Sequence, residues 1–483
     1  MSAPETPSAP IDPEAWLAAY APSYSLHQHK EAPIQSCRLS VVLNPASGAK
    51  QGRALWDNVG APLVRFSQQL AGGDWLEWAG DVLETRAAGD GERVGRDMRQ
   101  RWKSESSSDG RREVLVVLGG DGTVHELLNG LLLNEEGRVE RTKDVDLVLI
   151  PAGTANALYF HLFPPEAAAY PPSLPASPFY SLLSFLSRAA SPSLAASPHR
   201  LPLPLALNTL SRPSLPTLRT LTTVVSSTAL HACLLHDAEA LRASHPGLER
   251  FKLAAQQNAS TWWSGTLRLR SGSQGPPSVY DPASRAWRAL GNGKNDVEIH
   301  GPFAYLVGAL VSRFEPSFVV APFRSPLSPL APGTSAHEAA TIDIVAIRPL
   351  RHAPTRRRAN EGGEDGERAA REAFVGRIWG VTGEMYDGGK HVDEVYDEGE
   401  GEEGEEGRTS VVEVFRCEGF EWIPTATENL KTRLVCLDGA VHDLGYDATG
   451  AALPGTLTVE ALGTAGADAG TEQEQEGQVR VWA

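Results

Sequence analysis

Asp121 is the residue in this chain best placed to do chemistry. It stands in Gly119-Gly120-Asp121-Gly122-Thr123, between an apolar, β-branched-rich run at 114–118 and a stretch where Val124, Leu127, Leu128, Leu131 and Leu132 recur at i, i+3, i+4, i+7 and i+8. The run has the pattern of a strand buried on both faces of a parallel sheet, and the recurrence is one apolar face of a helix. Glycines between them let the backbone approach a ligand closely, and the first helical amides, lacking intrahelical acceptors, point outward toward an anion such as phosphate. A carboxylate beside a phosphate is repelled unless it holds Mg²⁺ or takes the proton of a hydroxyl attacking the phosphorus, and both uses imply phosphoryl transfer. The plainer alternative is a connection needing glycine only for geometry, with Asp121 and Thr123 as helix caps. His125, Glu126 and Asn129 are expected to project away from the leucine face.

The surrounding sequence repeats the pattern. A buried strand at 39–43 runs into Asn44-Pro45-Ala46-Ser47-Gly48 and a helix near 53–66; a strand at 82–85 precedes a helix at 92–101; a strand at 146–150 runs into Pro151-Ala152-Gly153-Thr154-Ala155-Asn156, where Thr154 is a natural cap. Strands alternating with helices predict a doubly wound parallel sheet, whose ligands bind beyond the carboxyl ends of the strands. Three of those ends carry glycine-bearing loops, which makes coincidence a poor explanation of the set.

The remaining organisation follows from composition. Residues 1–36, rich in Pro, Ala and Ser, read as a mobile tail, 37–162 as an α/β nucleotide-binding domain, and 163–217 as a Pro- and Ser-rich linker in which 179–190 could form one short amphipathic helix, either within the linker or touching lipid. From 218 to 461 the chain favours strands (218–227, 264–270, 303–313, 317–321, 341–348, 411–417, 433–437 and 457–460), with one helix near 237–257, and so predicts a C-terminal β-sandwich lipid domain. Charged insertions at 352–371 and 393–407 and the tail 462–483 read as solvated loops, although 479–482 could pair as a last strand. The acidic run at 393–407 lacks the fixed ligand spacing of a Ca²⁺ site. A formal net charge of −16 argues against nucleic acid as a partner. Four scattered cysteines fit a reducing compartment. With no apolar run of about 18 residues to span a bilayer, the expectation is a cytoplasmic protein, associated with membranes at most peripherally.

With NPASG, GGDGTVHELLNGL and PAGTANAL in that order ahead of a β-rich half, the chain resembles the diacylglycerol kinase catalytic-domain superfamily, and within it is most similar to the sphingosine kinases. The resemblance spans roughly 38–461. It implies nucleotide contacts from Asn44, Pro45, Ala46, Thr85, Gly119, Gly120, Gly122, Thr123, Glu126, Gly153, Thr154, Ala155 and Arg250, and from Asp438 with Gly439. It also implies Asp121 as proton acceptor, Asp438 as a Mg²⁺ ligand, and Asp237 as the acid that recognises a polar lipid head, which suits the ammonium of a sphingoid base; a helix N-cap is the alternative for Asp237. Three departures stand out: Asp438-Gly439 is followed by Ala440 where the family has Glu, Thr85 is followed by Asp90 where a histidine is expected, and the Asp-Gly ahead of Ile342-Asp343-Ile344-Val345 is missing.

The implied activity is ATP-dependent transfer of the γ-phosphate, with Mg²⁺, to the primary hydroxyl of a sphingoid long-chain base at a membrane surface. Diacylglycerol or ceramide as acceptor, a weak or silent lipid-binding protein of the same fold, and an NAD kinase sharing only GGDGT are the alternatives.

Overall fold

The computed structural model describes residues 10–20, 36–69, 75–104, 111–140, 143–165, 178–188, 200–325, 340–463 and 479–483, apart from 214, 246, 248, 274, 292–295, 402–408, 426–428 and 446–453. It is a mixed α/β structure with one largely parallel sheet and two antiparallel sheets, divided between two compact units.

The first unit is built on β1 (Cys37–Leu43), β2 (Leu76–Glu77), β3 (Val82–Glu84), β4 (Arg112–Gly119), β5 (Val145–Pro151) and β6 (Arg200–Pro202), with a last strand, Val479–Trp482, inserted between β5 and β6. All pairs are parallel except that joining the last strand to β6. β4 is buried throughout and β1 nearly so, as continuous Val/Leu runs require of strands covered on both faces. The register fixes where the loops emerge: Leu43 pairs with Glu84 and Leu118, Leu118 with Ile150, and Gly119 with Pro151. Parallel strands that end level send their connecting loops off the same edge.

The expected tail and linker are partly ordered. Pro13–Tyr20 is a helix whose Leu17 is buried and whose Trp16 meets Phe179 edge-on at 5.9 Å. The Tyr180–Arg188 helix buries Leu182, Leu183, Phe185 and Leu186 within the unit, so its apolar face is core rather than a lipid contact. Ser181 donates to the Trp482 carbonyl and accepts from the Leu149 amide, tying helix, last strand and β5 together. The region expected to be linker also supplies β6 and the strand Leu205–Arg212.

The second unit is antiparallel. Its six-stranded sheet runs Val297–His300, Gly265–Arg270, Gly419–Pro424, Thr456–Leu462, Leu205–Arg212, Leu215–Thr222. Its eight-stranded sheet runs Ala286–Ala289, Ser278–Asp281, Glu413–Cys417, Ile342–Ile347, Tyr305–Ala309, Val225–Thr228, Leu434–Leu437, Ala440–Asp443. The sheets share a core: Phe303 meets Trp422 edge-on at 5.6 Å, and Ser226 of one sheet donates to Asn208 of the other at 2.6 Å. Residues 317–321 are a turn with a single bridge, because Phe314 and Phe318 bond back on themselves instead of joining a sheet. The single helix expected near 237–257 is two, Ala229–Ala240 and Glu249–Asn258.

The largest correction falls at 352–371. This charged stretch forms the helix Ala353–Glu361 and opens a longer one, Gly363–Tyr386. Ala370, Phe374, Ile378, Val381 and Met385 are its buried stripe, and Glu367 with Arg371 forms an i,i+4 pair on its surface. Composition to 371 looks solvated because the stripe begins only at 370. Of the acidic stretch 393–407, the described part is a 3-10 turn ending at Asp393, a bridge from Val395 to Ser410 and a turn to Glu400, while 402–407 lie outside the described residues. The tail 464–478 also lies outside them.

Just before that acidic stretch, His391 is fully buried and its Nε2 donates to the Val320 carbonyl at 3.1 Å, while Nδ1 has no partner. Burial pushes its pKa down to about 4. Below an unfolded pKa near 6.5 the unfolded chain takes up a proton that the folded state refuses, so stability present above pH 6.5 is lost as pH falls toward 4, on the order of 3 kcal/mol at the limit. His391→Gln, which keeps a donor for Val320, is expected to flatten that part of the pH dependence in denaturant unfolding measured at pH 7 and pH 4.5. An unchanged slope would show that His391 does not carry it.

Candidate active site

The three glycine loops meet through their backbones. A Cβ on Gly153 would lie 2.4 Å from the Gly120 Cα, and one on Gly48 would lie 2.4 Å from the Ala152 carbonyl oxygen, where φ of +48° already disfavours other residues. No side chain at either position would leave the loops where they are. Asn44 adds a polar tie: its Oδ1 accepts from the Ala46 amide, shaping the turn through Pro45, and its Nδ2 donates to Thr123 Oγ1 at 3.0 Å. Thr123 is therefore held by Asn44 and does not cap its own helix, whose N-cap is Gly120.

Asp121, at the start of the Asp121–Leu132 helix, reaches across to the third loop. Its Oδ2 accepts from the Ala157 amide at 2.8 Å and its Oδ1 from the Leu158 amide at 3.0 Å. It thus caps the Ala157–Leu162 helix, the role sequence assigned to Thr154, which is exposed. Asn156, in the left-handed region at φ 57°, accepts from the amide of Gly153 and donates to its carbonyl, closing its own loop. Asp121 is partly exposed, so the capping carboxylate is not sealed from solvent.

Other expected contacts are otherwise engaged. Glu126 accepts from the amides of Gly89 and Gly91 at 2.9 and 3.0 Å, anchoring the start of the Asp90–Ser104 helix rather than offering both oxygens outward. Thr85 is 6% exposed and its amide donates to Leu43. Asn129 is buried and donates to the His125 carbonyl, so it does not project from the polar face. Ala155 is partly exposed beside Thr154, and Gly122 is exposed with nothing near its Cβ direction.

The remaining candidates lie in the second unit. Asp438-Gly439, with φ of 49° and 93°, is a two-residue turn of the hairpin in which Leu437 pairs with Ala440, the geometry that Asp-Gly favours. The Asp438 carboxylate is 4% exposed and accepts from the amides of Thr223, Val224 and Val225 at 2.7, 2.9 and 2.8 Å, stapling the point where the chain crosses from one sheet to the other. A carboxylate held by three amides has a structural part in the second unit, whatever else it meets. Asp443, in the second strand of that hairpin, is gripped by both Nε and Nη2 of Arg433. Asp438→Ala would leave three buried amides unpaired, with an expected cost of about 2–5 kcal/mol in equilibrium unfolding. A loss below about 1 kcal/mol would mean that the amides find other acceptors.

Asp237 sits in the last turn of its helix, which excludes an N-cap role. It is bonded to Asn258 at 2.8 Å, His236 at 2.9 Å and Lys431 Nζ at 3.0 Å. Burial alone would raise its pKa; these three partners outweigh it and hold the carboxyl below the usual range. Sequence gave no sign of Lys431, 194 residues away, as the partner. Arg250 lays its guanidinium over the Phe251 ring at 4.5 Å.

A parallel sheet whose level strand ends carry three interlocked glycine loops is an arrangement that suits anion binding. Residues 38–174 match the family model of the diacylglycerol kinase catalytic domain. Sphingosine kinase B of Dictyostelium discoideum is 48% identical over 46 residues, a stretch that spans 10% of this chain and 6% of that relative. Among solved structures, a putative diacylglycerol kinase from Bacillus anthracis str. Sterne aligns over 88% of this chain and 95% of its own at 12% identity and a TM-score of 0.39. Yeast NADH kinase complexed with NADH aligns over 93% and 84% at 10% identity and a TM-score of 0.33.

Proposed function

We propose that this chain is an ATP-dependent lipid kinase that transfers the γ-phosphate to the primary hydroxyl of a sphingoid long-chain base. The observation that carries the reading is the junction of Gly48, Gly120 and Gly153, a rim of backbone small enough for a triphosphate to lie against, within the stretch that matches the diacylglycerol kinase catalytic domain. In this reading the nucleotide lies along Asn44, Pro45, Ala46, Gly119, Thr154 and Ala155, while the buried Thr85 and Thr123 support the loops from behind. Mg²⁺ enters as part of the Mg·ATP substrate. Asp121 receives the hydroxyl proton as the lipid oxygen bonds to the γ-phosphorus and the β–γ bridging oxygen leaves with the electron pair. Because such transfers are loose in the transition state, positioning and charge neutralisation carry more of the rate than base strength. The sphingoid assignment draws on the short stretch shared with sphingosine kinase B.

A second reading, a neutral lipid alcohol such as diacylglycerol or ceramide, is favoured by one observation: Asp237, the acid assigned to a substrate ammonium, already has the chain's own ammonium, Lys431, at 3.0 Å. Labelled ATP with a lipid panel decides between them. Label in a sphingoid base supports the first reading, label confined to diacylglycerol or ceramide supports the second, and no labelled lipid rejects both. No helix among the described residues is long and apolar enough to cross a membrane.

A further inference from the structure

The helical pair Ala353–Glu361 and Gly363–Tyr386 has no part in the reading above, and it encloses a cavity of about 400 Å³. Every residue lining it belongs to the second unit. Two guanidiniums, from Arg358 and Arg377, and one carboxylate, from Glu394, stand in its wall. Arg358 is exposed and has no ion-pair partner among the described residues, whereas Arg377 shares its charge with Glu394 at 3.3 Å. The wall therefore keeps an excess positive charge within a chain whose formal net charge is −16.

Of the two guanidiniums, that of Arg377 is held in place before any ligand arrives. Tyr396, 1% exposed, has the Arg377 guanidinium over its ring at 5.4 Å and the His352 ring stacked on it at 4.9 Å. His352 Nδ1 and Thr355 Oγ1 lie 2.7 Å apart, holding the first turn of the shorter helix, which has no acidic residue. An anion here meets a positive helix end as well as two guanidiniums. On the same helix as Arg377, Gly376 and Gly380 leave open space, since a Cβ on either would meet no atom within 4 Å, and Phe374 and Pro354 supply apolar surface. A bare phosphate would not fill this volume, and cavities of this size usually hold small organic ligands.

We propose that this cavity binds an organic phosphate monoester, its phosphate on Arg358 and Arg377 and its carbon skeleton over Phe374 and the glycine wall. The ester is soluble or is the head of a lipid such as phosphatidic acid. The longer helix also exposes Trp379 and Tyr386, at 38% and 49%, as interfacial helices do, which suits the lipid source.

The test uses the full chain and reads binding, so it is independent of kinase activity. Glycerol 3-phosphate is titrated by calorimetry, and phosphatidylcholine vesicles with and without phosphatidic acid are sedimented with the protein. Arg358→Gln removes an exposed, unpaired charge, and Gly376→Leu fills the cavity without meeting a neighbour at Cβ. Each is expected to weaken binding about tenfold or more, while Arg368→Gln, whose charge is paired with Asp365, leaves it unchanged. Binding of the soluble ester alone, or of phosphatidic acid vesicles, supports the site and identifies the source. No saturable binding of either probe, or binding that Arg358→Gln and Gly376→Leu leave intact, overturns it.

Discussion

Asp121→Asn is expected to lower phosphoryl transfer by about 10²–10⁴-fold, the range for a lost proton-transfer group, in a protein that remains folded. The side chain has two duties, and the variant separates them. Its carboxylate accepts from the Ala157 and Leu158 amides, so it fastens the second glycine loop to the third. Asparagine keeps one carbonyl acceptor and turns an NH₂ toward the other amide, a loss of roughly 1 kcal/mol. Such a loss slightly lowers the unfolding midpoint and leaves the fold in place. If the carboxylate also meets the acceptor hydroxyl, turnover falls far more than that small change can explain. Turnover falling only in proportion to stability would reduce Asp121 to a cap. Steady-state labelling of lipid beside denaturant unfolding on the same preparations reads both quantities.

Gly153→Ala is expected to reduce nucleotide affinity by at least about tenfold and stability by about 1–3 kcal/mol. Its new methyl would sit 2.4 Å from the Gly120 Cα and 2.8 Å from Asn156 Oδ1. A backbone atom cannot rotate aside, so the loops must part, and the rim they form opens with them. Gly122→Ala is the informative contrast. Gly122 is exposed, and its Cβ direction meets nothing within 4 Å. That variant should fold as well as the parent or better, since alanine is the stronger helix former. If phosphate rests on the first helical turn, Gly122→Ala still weakens ATP binding. Equal affinity for parent and both variants, measured by calorimetry, would place the nucleotide away from these loops.

The parallel sheet was legible because strands buried on both faces write continuous apolar runs: 39–43, 114–118 and 146–150 fall inside β1, β4 and β5. The meeting of the loops was legible in kind, since level parallel strands must discharge their loops at one edge. What each polar side chain does there was not. Asp121 carries no local mark of the amides it caps 36 and 37 residues away, nor does Asp237 of Lys431. Asp438-Gly439 carried a signal that was available, because Asp-Gly between two apolar runs is a hairpin turn. The family pattern drew attention to its carboxylate as a ligand instead, and three amides from 213–215 residues earlier hold it. The helix beginning at Gly363 was hidden by a charged first half and betrayed only by the stripe that starts at Ala370.

A crystal structure of the full chain with a non-hydrolysable ATP analogue and Mg²⁺ tests the central claim most directly. The account predicts the triphosphate against the backbone of Gly48, Gly120 and Gly153, with the γ-phosphate toward Asp121. An analogue bound elsewhere, with those three loops still closed on one another and bare, would contradict it.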